Sequence, residues 1–227
     1  MNQITKNFLL ELFFPSFCFG CNKEGFYLCQ DCKSTLEISE YNYCLCNKNP
    51  LRLPAENKGK CGRCHNNNLD GLYSALSYKE KTLTRTLIHH FKYEPYVKDL
   101  AKTLTSIFLE HLTLVGNLTQ EIWKNSVLLP IPLSLKKQKS RGYNQSEELV
   151  KELSKSLAIP IVLDALVKVK NTPQQMSLSA KEREENVKGV FVIKNAEAIA
   201  GKKIFLVDDV YTTGSTMQEC ARVLKTA

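Results

Sequence analysis

Thirteen residues near the end of the chain, IFLVDDVYTTGST from Ile204 to Thr216, constrain its fold more than any other stretch. Four apolar residues, Ile204 to Val207, read as a short buried strand, with Asp208 and Asp209 at its carboxyl end. Thr212, Thr213, Gly214, Ser215 and Thr216 then open a helical stretch, Met217 to Lys225. A strand, a tight polar turn and a helix N-terminus make an anion site, because the first helical N–H groups are unpaired and the helix dipole favours negative charge there. Gly214 lets the backbone approach a phosphate, and the hydroxyls can donate further hydrogen bonds. Carboxylates beside a phosphate repel it unless a metal or sugar hydroxyls lie between. The turn therefore suits a phosphorylated, hydroxylated ligand with Mg2+, held by hard oxygen donors.

The other dense signal is cysteine. Eight of the nine cysteines lie between Cys18 and Cys64, in pairs: Cys18/Cys21, Cys29/Cys32, Cys44/Cys46 and Cys61/Cys64. Without a secretory signal, such pairing favours thiolate metal ligands in a reducing compartment over disulfides. A C-x-x-C turn brings two sulfurs to one tetrahedral ion at roughly 2.3 Å, so two pairs complete a structural zinc site and four pairs suggest two. Gly20 and Gly62 sit within the first and last turns, as such knuckles require. Sequential grouping (18/21/29/32 and 44/46/61/64) and interleaved grouping both remain open, and Cys44-Leu45-Cys46 has one intervening residue where two are usual. No open ligand position is implied, so the sites read as structural. Cys220 reads as a small core residue.

Around these features the chain divides into three. Ile4, Phe8, Leu9, Leu12 and Phe13 share one helical face, which predicts an amphipathic helix over 1–16. Glu11 interrupts its apolar run, Pro15 ends it, and no run approaches the roughly 18 apolar residues of a membrane span. A cytoplasmic protein without stable membrane insertion is expected. The cysteine-rich head covers 17–69, and the turn residues Asn66 to Asn68, Asp70 and Gly71 mark its end. From 70 to 227 the pattern is α/β. Leu72 to Tyr78 alternates like a strand, and helical periodicity runs over Lys79–His90 and Val97–Val115. Ser126 to Leu133 is a buried strand ended by prolines, followed by a basic turn (Lys136, Lys137, Lys139, Arg141, Gly142) and a helix over Gln145–Leu157. That turn is a second anion candidate, since ligands of doubly wound sheets gather at strand carboxyl ends. A third comprises Lys168, Lys170, Thr172, Gln175, Arg183 and Asn186, of which 170–179 reads as a loop; Phe191 to Ile193 is a further strand. His89 and His90 point in different directions on a helix, which argues against a shared ion. The net charge of +8 is compatible with an anionic partner.

The strand, acid pair and Thr-Thr-Gly-x-Thr loop resemble the 5-phosphoribosyl-1-diphosphate (PRPP) motif of the type I phosphoribosyltransferases. The resemblance implies that Asp208 and Asp209 hold ribose hydroxyls and that Thr212, Thr213, Gly214, Ser215 and Thr216 wrap the 5-phosphate. LLPIPL with Arg141-Gly142-Tyr143-Asn144-Gln145, the block from Thr172 to Phe191, the PRPP motif, the paired-cysteine head and the Phe-Lys-Tyr around Lys92 together resemble the ComF family of competence-associated, phosphoribosyltransferase-like proteins. This implies a parallel sheet with flanking helices behind a double zinc ribbon. It also places Arg141, Asn144, Gln145, Thr172, Gln175, Arg183 and Asn186 around the ligand cleft, with Lys92 on the diphosphate side. Ser134 stands where the family commonly has His, and Lys137 and Lys139 stand where it has arginine, keeping the charge without the bidentate fork. The sequence stops at Ala227, where the family continues through a glycine turn into another strand; its loss is expected to expose a sheet edge.

Two functions are expected on these grounds. One is a PRPP- and Mg2+-binding factor that handles single-stranded DNA alongside the DNA-uptake machinery. The alternative is an active phosphoribosyltransferase, with Asp208, Asp209 and Arg183 catalytic and the acceptor open.

Overall fold

Ser126–Pro130 and Lys203–Val207 pair in parallel, in register from Ser126 opposite Lys203 to Pro130 opposite Val207. The structure, a computed structural model, describes residues 15–46, 51–53, 61–64, 67–170 and 180–226, without the side chains of 180, 181, 183 and 184. Its helices and strands run α1 (Gln30–Ser34), β1 (Asn42–Tyr43), β2 (Arg52–Leu53), α2 (Leu83–Lys92), α3 (Leu100–Leu114), α4 (Gln120–Trp123), β3 (Ser126–Pro130), α5 (Leu135–Arg141), α6 (Gln145–Leu157), β4 (Leu166–Lys168), α7 (Ala180–Val187), β5 (Phe191–Ile193), β6 (Lys203–Val207) and α8 (Ser215–Leu224). The helix expected over 1–16 lies, apart from Pro15 and Ser16, outside the described residues.

The apolar run of β3 is explained by cover on both faces. Val127, Leu129 and Ile131 enter a core with Leu166, Val187, Phe191, Met217, Cys220 and Val223, whereas Leu128 enters another with Val150, Leu153 and Ile159. β6 alternates the same way, sending Ile204 and Leu206 to the first core and Phe205 and Val207 to the second. A single parallel bridge from Leu128 to Ile161 flanks β3 on its other side. β4 and β5 form a separate antiparallel ribbon, Leu166 opposite Ile193 and Lys168 opposite Phe191.

Among the described residues no strand pairs with the far edge of β6. That edge borders a cavity of about 1200 Å³ whose walls include Leu72, Leu76, Leu104, Phe108, Trp123 and Phe205. Leu72 to Tyr78 therefore does not form the expected strand. It makes one antiparallel bridge, Leu76 to Ile38, because alternation supplies a face but a ladder needs a neighbour, and the cavity separates this segment from β6.

Two further boundaries shift for local reasons. α2 starts at Leu83 rather than Lys79, where Thr82 Oγ1 accepts the Arg85 N–H at 3.3 Å. The basic stretch after β3 is the short helix α5 rather than an open turn. Ser134 caps its start, and Gly142, at φ 79°, ends it in the left-handed conformation. α6 occupies Gln145–Leu157 as expected, with the Asn144 side chain accepting the Ser146 N–H.

The cysteine-rich segment shares a core with the rest of the chain. Phe19, Tyr27, Leu28 and Leu36 pack with Leu87, Phe91, Leu100 and Tyr143, and Phe19 stacks on His90 with ring centroids 4.1 Å apart. Buried His111 on α3 contacts the Ser39 carbonyl through Nδ1 at 2.6 Å.

Candidate functional site

The acids sit where β6 ends. Asp208 Oδ1 accepts the Asp209 N–H at 2.9 Å and the Ser146 hydroxyl at 3.1 Å. Asp209 Oδ1 pairs with Lys92 Nζ at 2.9 Å, and the Asp209 side chain is only 4% exposed. Burial, seconded by the charge of Asp209, pushes the Asp208 carboxyl up to about 7, against Lys92 and its two hydrogen bonds. Burial disfavours the charge on Lys92, but Asp209 and Asp208 outweigh it and raise that amine.

Asp208 holds its proton more tightly in the fold than in the unfolded chain, where its pKa is 3.8, so stability falls as pH rises from about 4 to about 7 and stays lower above that. At about 1.4 kcal/mol per pH unit across that window the loss is at most about 4 kcal/mol. Thermal melts from pH 5 to 8 without divalent cation should show the decline, and Asp208→Asn should flatten it; an unchanged slope in that variant refutes the assignment.

Basic side chains surround the acids. Burial lowers the Lys137 amine, and so do the neighbouring charges of Arg141 and Lys92. Burial likewise lowers Lys168 on β4, with Lys137 adding to it and Asp208 opposing. Cations that depress one another in this way are relieved by an anion placed among them. Arg141 lies over the Tyr93 ring at 5.5 Å and donates to Gln145 Oε1 at 3.0 Å.

Tyr143, Asn144 and Gln145 of the Arg-Gly-Tyr-Asn-Gln stretch act at one remove. Tyr143 Oη and Gln145 Nε2 both donate to the Phe91 carbonyl, at 2.6 and 3.3 Å, which fixes the backbone beside Lys92. Asn144 caps α6 and donates to the Ile131 carbonyl at 3.1 Å. Asn144 and Gln145 are each 3% exposed and bonded internally, so they stand beneath the site as supports and not as open donors.

The turn is shaped for close approach. Gly214 is buried at φ 75°, and a Cβ there would run into the Tyr211 ring, so conformation and space both require glycine. As N-cap it offers no acceptor to the first turn of α8. Thr213 Oγ1 and Ser215 Oγ lie 2.8 Å apart, and Thr213 Oγ1 also accepts the Ser215 N–H at 3.4 Å. Thr212 is exposed and Thr216 half-buried.

The structure thus gathers Asp208, Asp209, Lys92 and Thr212 to Thr216, with Arg141 at the rim. Arg183 belongs to α7, but its side chain, like Thr172 and Gln175, lies outside what is described. Sequence reasoning missed Ser146, which reads as an ordinary helix-start residue, and Tyr211, hidden between the two halves of the motif.

The cysteines form two groups, Cys18/Cys21/Cys29/Cys32 and Cys44/Cys46/Cys61/Cys64, with the sulfurs of each within 4.8 Å of one another. The sequential grouping holds, and the short Cys44-x-Cys46 spacing does not prevent convergence. All nine cysteines are free thiols. Sulfur separations of 3.6 Å for Cys21–Cys29 and 3.5 Å for Cys46–Cys61 approach the ~3.8 Å of a tetrahedral site with ~2.3 Å bonds, and Cys46–Cys64 is closer at 3.0 Å. Burial would raise Cys18, but the N–H groups of Cys29, Gly20 and Cys21 bring it down to about 6; the Arg63 N–H, against burial, brings Cys61 to about 6. The crowded neighbours Cys21, Cys32 and Cys46 are raised instead, so each cluster gathers thiolate charge that a bound cation relieves, as a zinc donor set does. His89 and His90 join neither group, and His65 lies outside the described residues. Cys220 is fully buried, and burial holds its thiol well above the usual range.

Gly20 is required by space: a Cβ would stand 2.6 Å from Cys32 Sγ. Gly20→Ala should therefore loosen the first cluster, read as faster zinc release to a chromogenic chelator; an unchanged rate would count against this packing.

A phosphoribosyl transferase domain matches residues 143–227. Competence protein F of Haemophilus influenzae is 30% identical over 223 residues, 94% of this chain and 92% of that protein. DNA utilization protein YhgH of Salmonella typhimurium is 27% identical over 210 residues, 87% of this chain and 90% of that protein. Competence protein ComFC of Bacillus subtilis is 37% identical over 103 residues, 44% and 39% of the two chains. No solved structure matches. Among the described residues no helix is long and apolar enough to cross a membrane.

Proposed function

Because the chain belongs to the ComF family, with a phosphoribosyltransferase-like fold and two four-cysteine clusters fit for zinc, we propose that it binds PRPP with Mg2+ and serves the handling of incoming single-stranded DNA in the cytoplasm. The observation that carries the ligand assignment is the acid pair, Asp208 held near neutrality and Asp209 paired to Lys92, at the mouth of a glycine-headed helix. Asp208 and Asp209 meet ribose hydroxyls and the metal, and the turn from Thr212 to Thr216 takes the 5-phosphate. Lys92 and Arg141 face the diphosphate. Mg2+ supplies charge neutralisation between acids and phosphate.

The DNA role is supported by the names of the relatives and by α5, which carries Lys136, Lys137, Lys139 and Arg141 on one short helix. If those four cations each met a phosphate, single-strand affinity would fall roughly 50-fold between about 50 and 200 mM salt. Fluorescence anisotropy with a labelled oligonucleotide at both salts tests this, and salt-independent or absent binding sinks it. Calorimetric titration of PRPP with Mg2+ tests the ligand.

The cationic rim also favours a second reading, catalysis. The bond between the ribose anomeric carbon and the diphosphate breaks, a bond to an acceptor nucleophile forms, and fixed cations receive the charge growing on the diphosphate. Absence of diphosphate release from bound PRPP across a panel of nucleobases would reject this reading.

A further inference from the structure

The second cysteine cluster reaches the phosphate turn directly. Tyr211, two residues beyond Asp209, packs against Cys44, Leu45, Leu53 and Cys64, and the same side chain joins the core around Leu129 and Cys220. Its ring lies over Gly214. Its hydroxyl lies beside the carboxamide of Gln218 on α8. Gln218 Oε1 in turn accepts the N–H of Asn68 at 2.9 Å, and Asn68 Nδ2 approaches the Gln218 carbonyl at 3.5 Å. Asn68 follows Cys64 closely in the chain, so one aromatic ring and one amide tie the turn to the cysteine cluster. A cavity of about 600 Å³ lined by Cys44, Cys46, Tyr211 and Thr212 marks the same junction.

We propose that the Cys44/Cys46/Cys61/Cys64 cluster, when it holds metal, sets the conformation of the phosphate turn through Tyr211. Tyr211 is then a positioning residue, and metal occupancy of the cluster regulates anion binding at Thr212 to Thr216. The reason is mechanical. β1 and β2 are two residues each, too short to hold the platform under Tyr211 without a metal joining the two ends of the segment. A turn organised before the ligand arrives binds it more tightly than one that must be ordered.

The inference rests on the reading of the turn as a phosphate site, but its test does not depend on that reading. The full chain is compared with Tyr211→Ala, with Cys46→Ser/Cys64→Ser, and with all three together. The readouts are zinc content, amide hydrogen exchange over 209–218, and affinity for PRPP with Mg2+. The cysteine pair should lose one of two zinc ions and speed exchange over 209–218 about ten-fold. Tyr211→Ala should speed it comparably with both ions retained, and the combination should do no more than either alone. PRPP affinity should fall in parallel. Unchanged exchange in the cysteine variant, or effects that multiply, overturns the coupling. If the cysteine pair unfolds the head, Tyr211→Ala decides alone, and unchanged exchange there overturns it. Absence of PRPP binding by the parent chain defeats the ligand assignment and leaves the exchange result to be read by itself.

Discussion

Asparagine at Asp208 and Asp209 together should abolish calorimetric binding of PRPP with Mg2+ while leaving the chain folded. Each acid loses a charge-assisted interaction worth about 1.5–3 kcal/mol, so the pair removes roughly 3–6 kcal/mol, a fall of about two to four orders of magnitude in affinity. The fold is spared because relief of the strain on charged Asp208 offsets the loss of the Asp209–Lys92 pair. Burial and mutual repulsion hold Asp208 up at about 7, and asparagine ends the repulsion while keeping an oxygen for the Ser146 hydroxyl and the Asp209 N–H. Lys92 loses its partner but is 28% exposed and can be hydrated. At pH 8 the variant should therefore melt no lower than the parent. Binding retained within ten-fold would remove the acids from the site.

Cys18→Ser should have the largest effect on stability. Cys18 is fully buried and receives two backbone N–H groups, from Cys29 at 3.3 Å and Gly20 at 3.4 Å. Structural zinc sites supply about 10–16 kcal/mol to the peptides that hold them, which matches or exceeds the 5–15 kcal/mol net stability of a domain. Losing the first ion should drop zinc from two to one per chain and unfold the segment around α1. The damage should spread, because Phe19 stacks on His90 and Tyr27, Leu28 and Leu36 complete the core holding Phe91, the residue before Lys92. The measurements are metal content and thermal melting by circular dichroism. A single transition at the parent temperature would show that the first cluster holds no stabilising metal. A chelator added to the parent should reproduce the effect more slowly.

Much of this site was legible because its parts are contiguous. The acids, the glycine and the hydroxyls lie within Ile204 to Thr216, and strand-to-helix geometry alone puts them at one helix end. The ends of α6 and the strand β5 also followed from periodicity and caps within a few residues. Where a local pattern needed a distant partner, the reading failed. Leu72 to Tyr78 has the alternation of a strand but, among the described residues, makes only the Leu76–Ile38 bridge, and the polar side chains of Asn144 and Gln145, which look like ligand donors, are taken up by the carbonyls of Ile131 and Phe91.

By itself the sequence determined that a strand ends in two acids before a glycine- and hydroxyl-rich turn, that eight cysteines come in pairs spaced to suit a metal, and that the family is one of phosphoribosyltransferase-like proteins. Spacing along the chain is enough for each of these. Only the tertiary structure decided that the cysteine pairs group in order, that Lys92 neutralises Asp209 across 117 residues, that Ser146 supports Asp208 across 62, and that Asn68 grips Gln218 across 150. Those contacts join segments with no local preference for one another. They are chosen by which apolar faces can be buried together, and no short-range pattern records that choice.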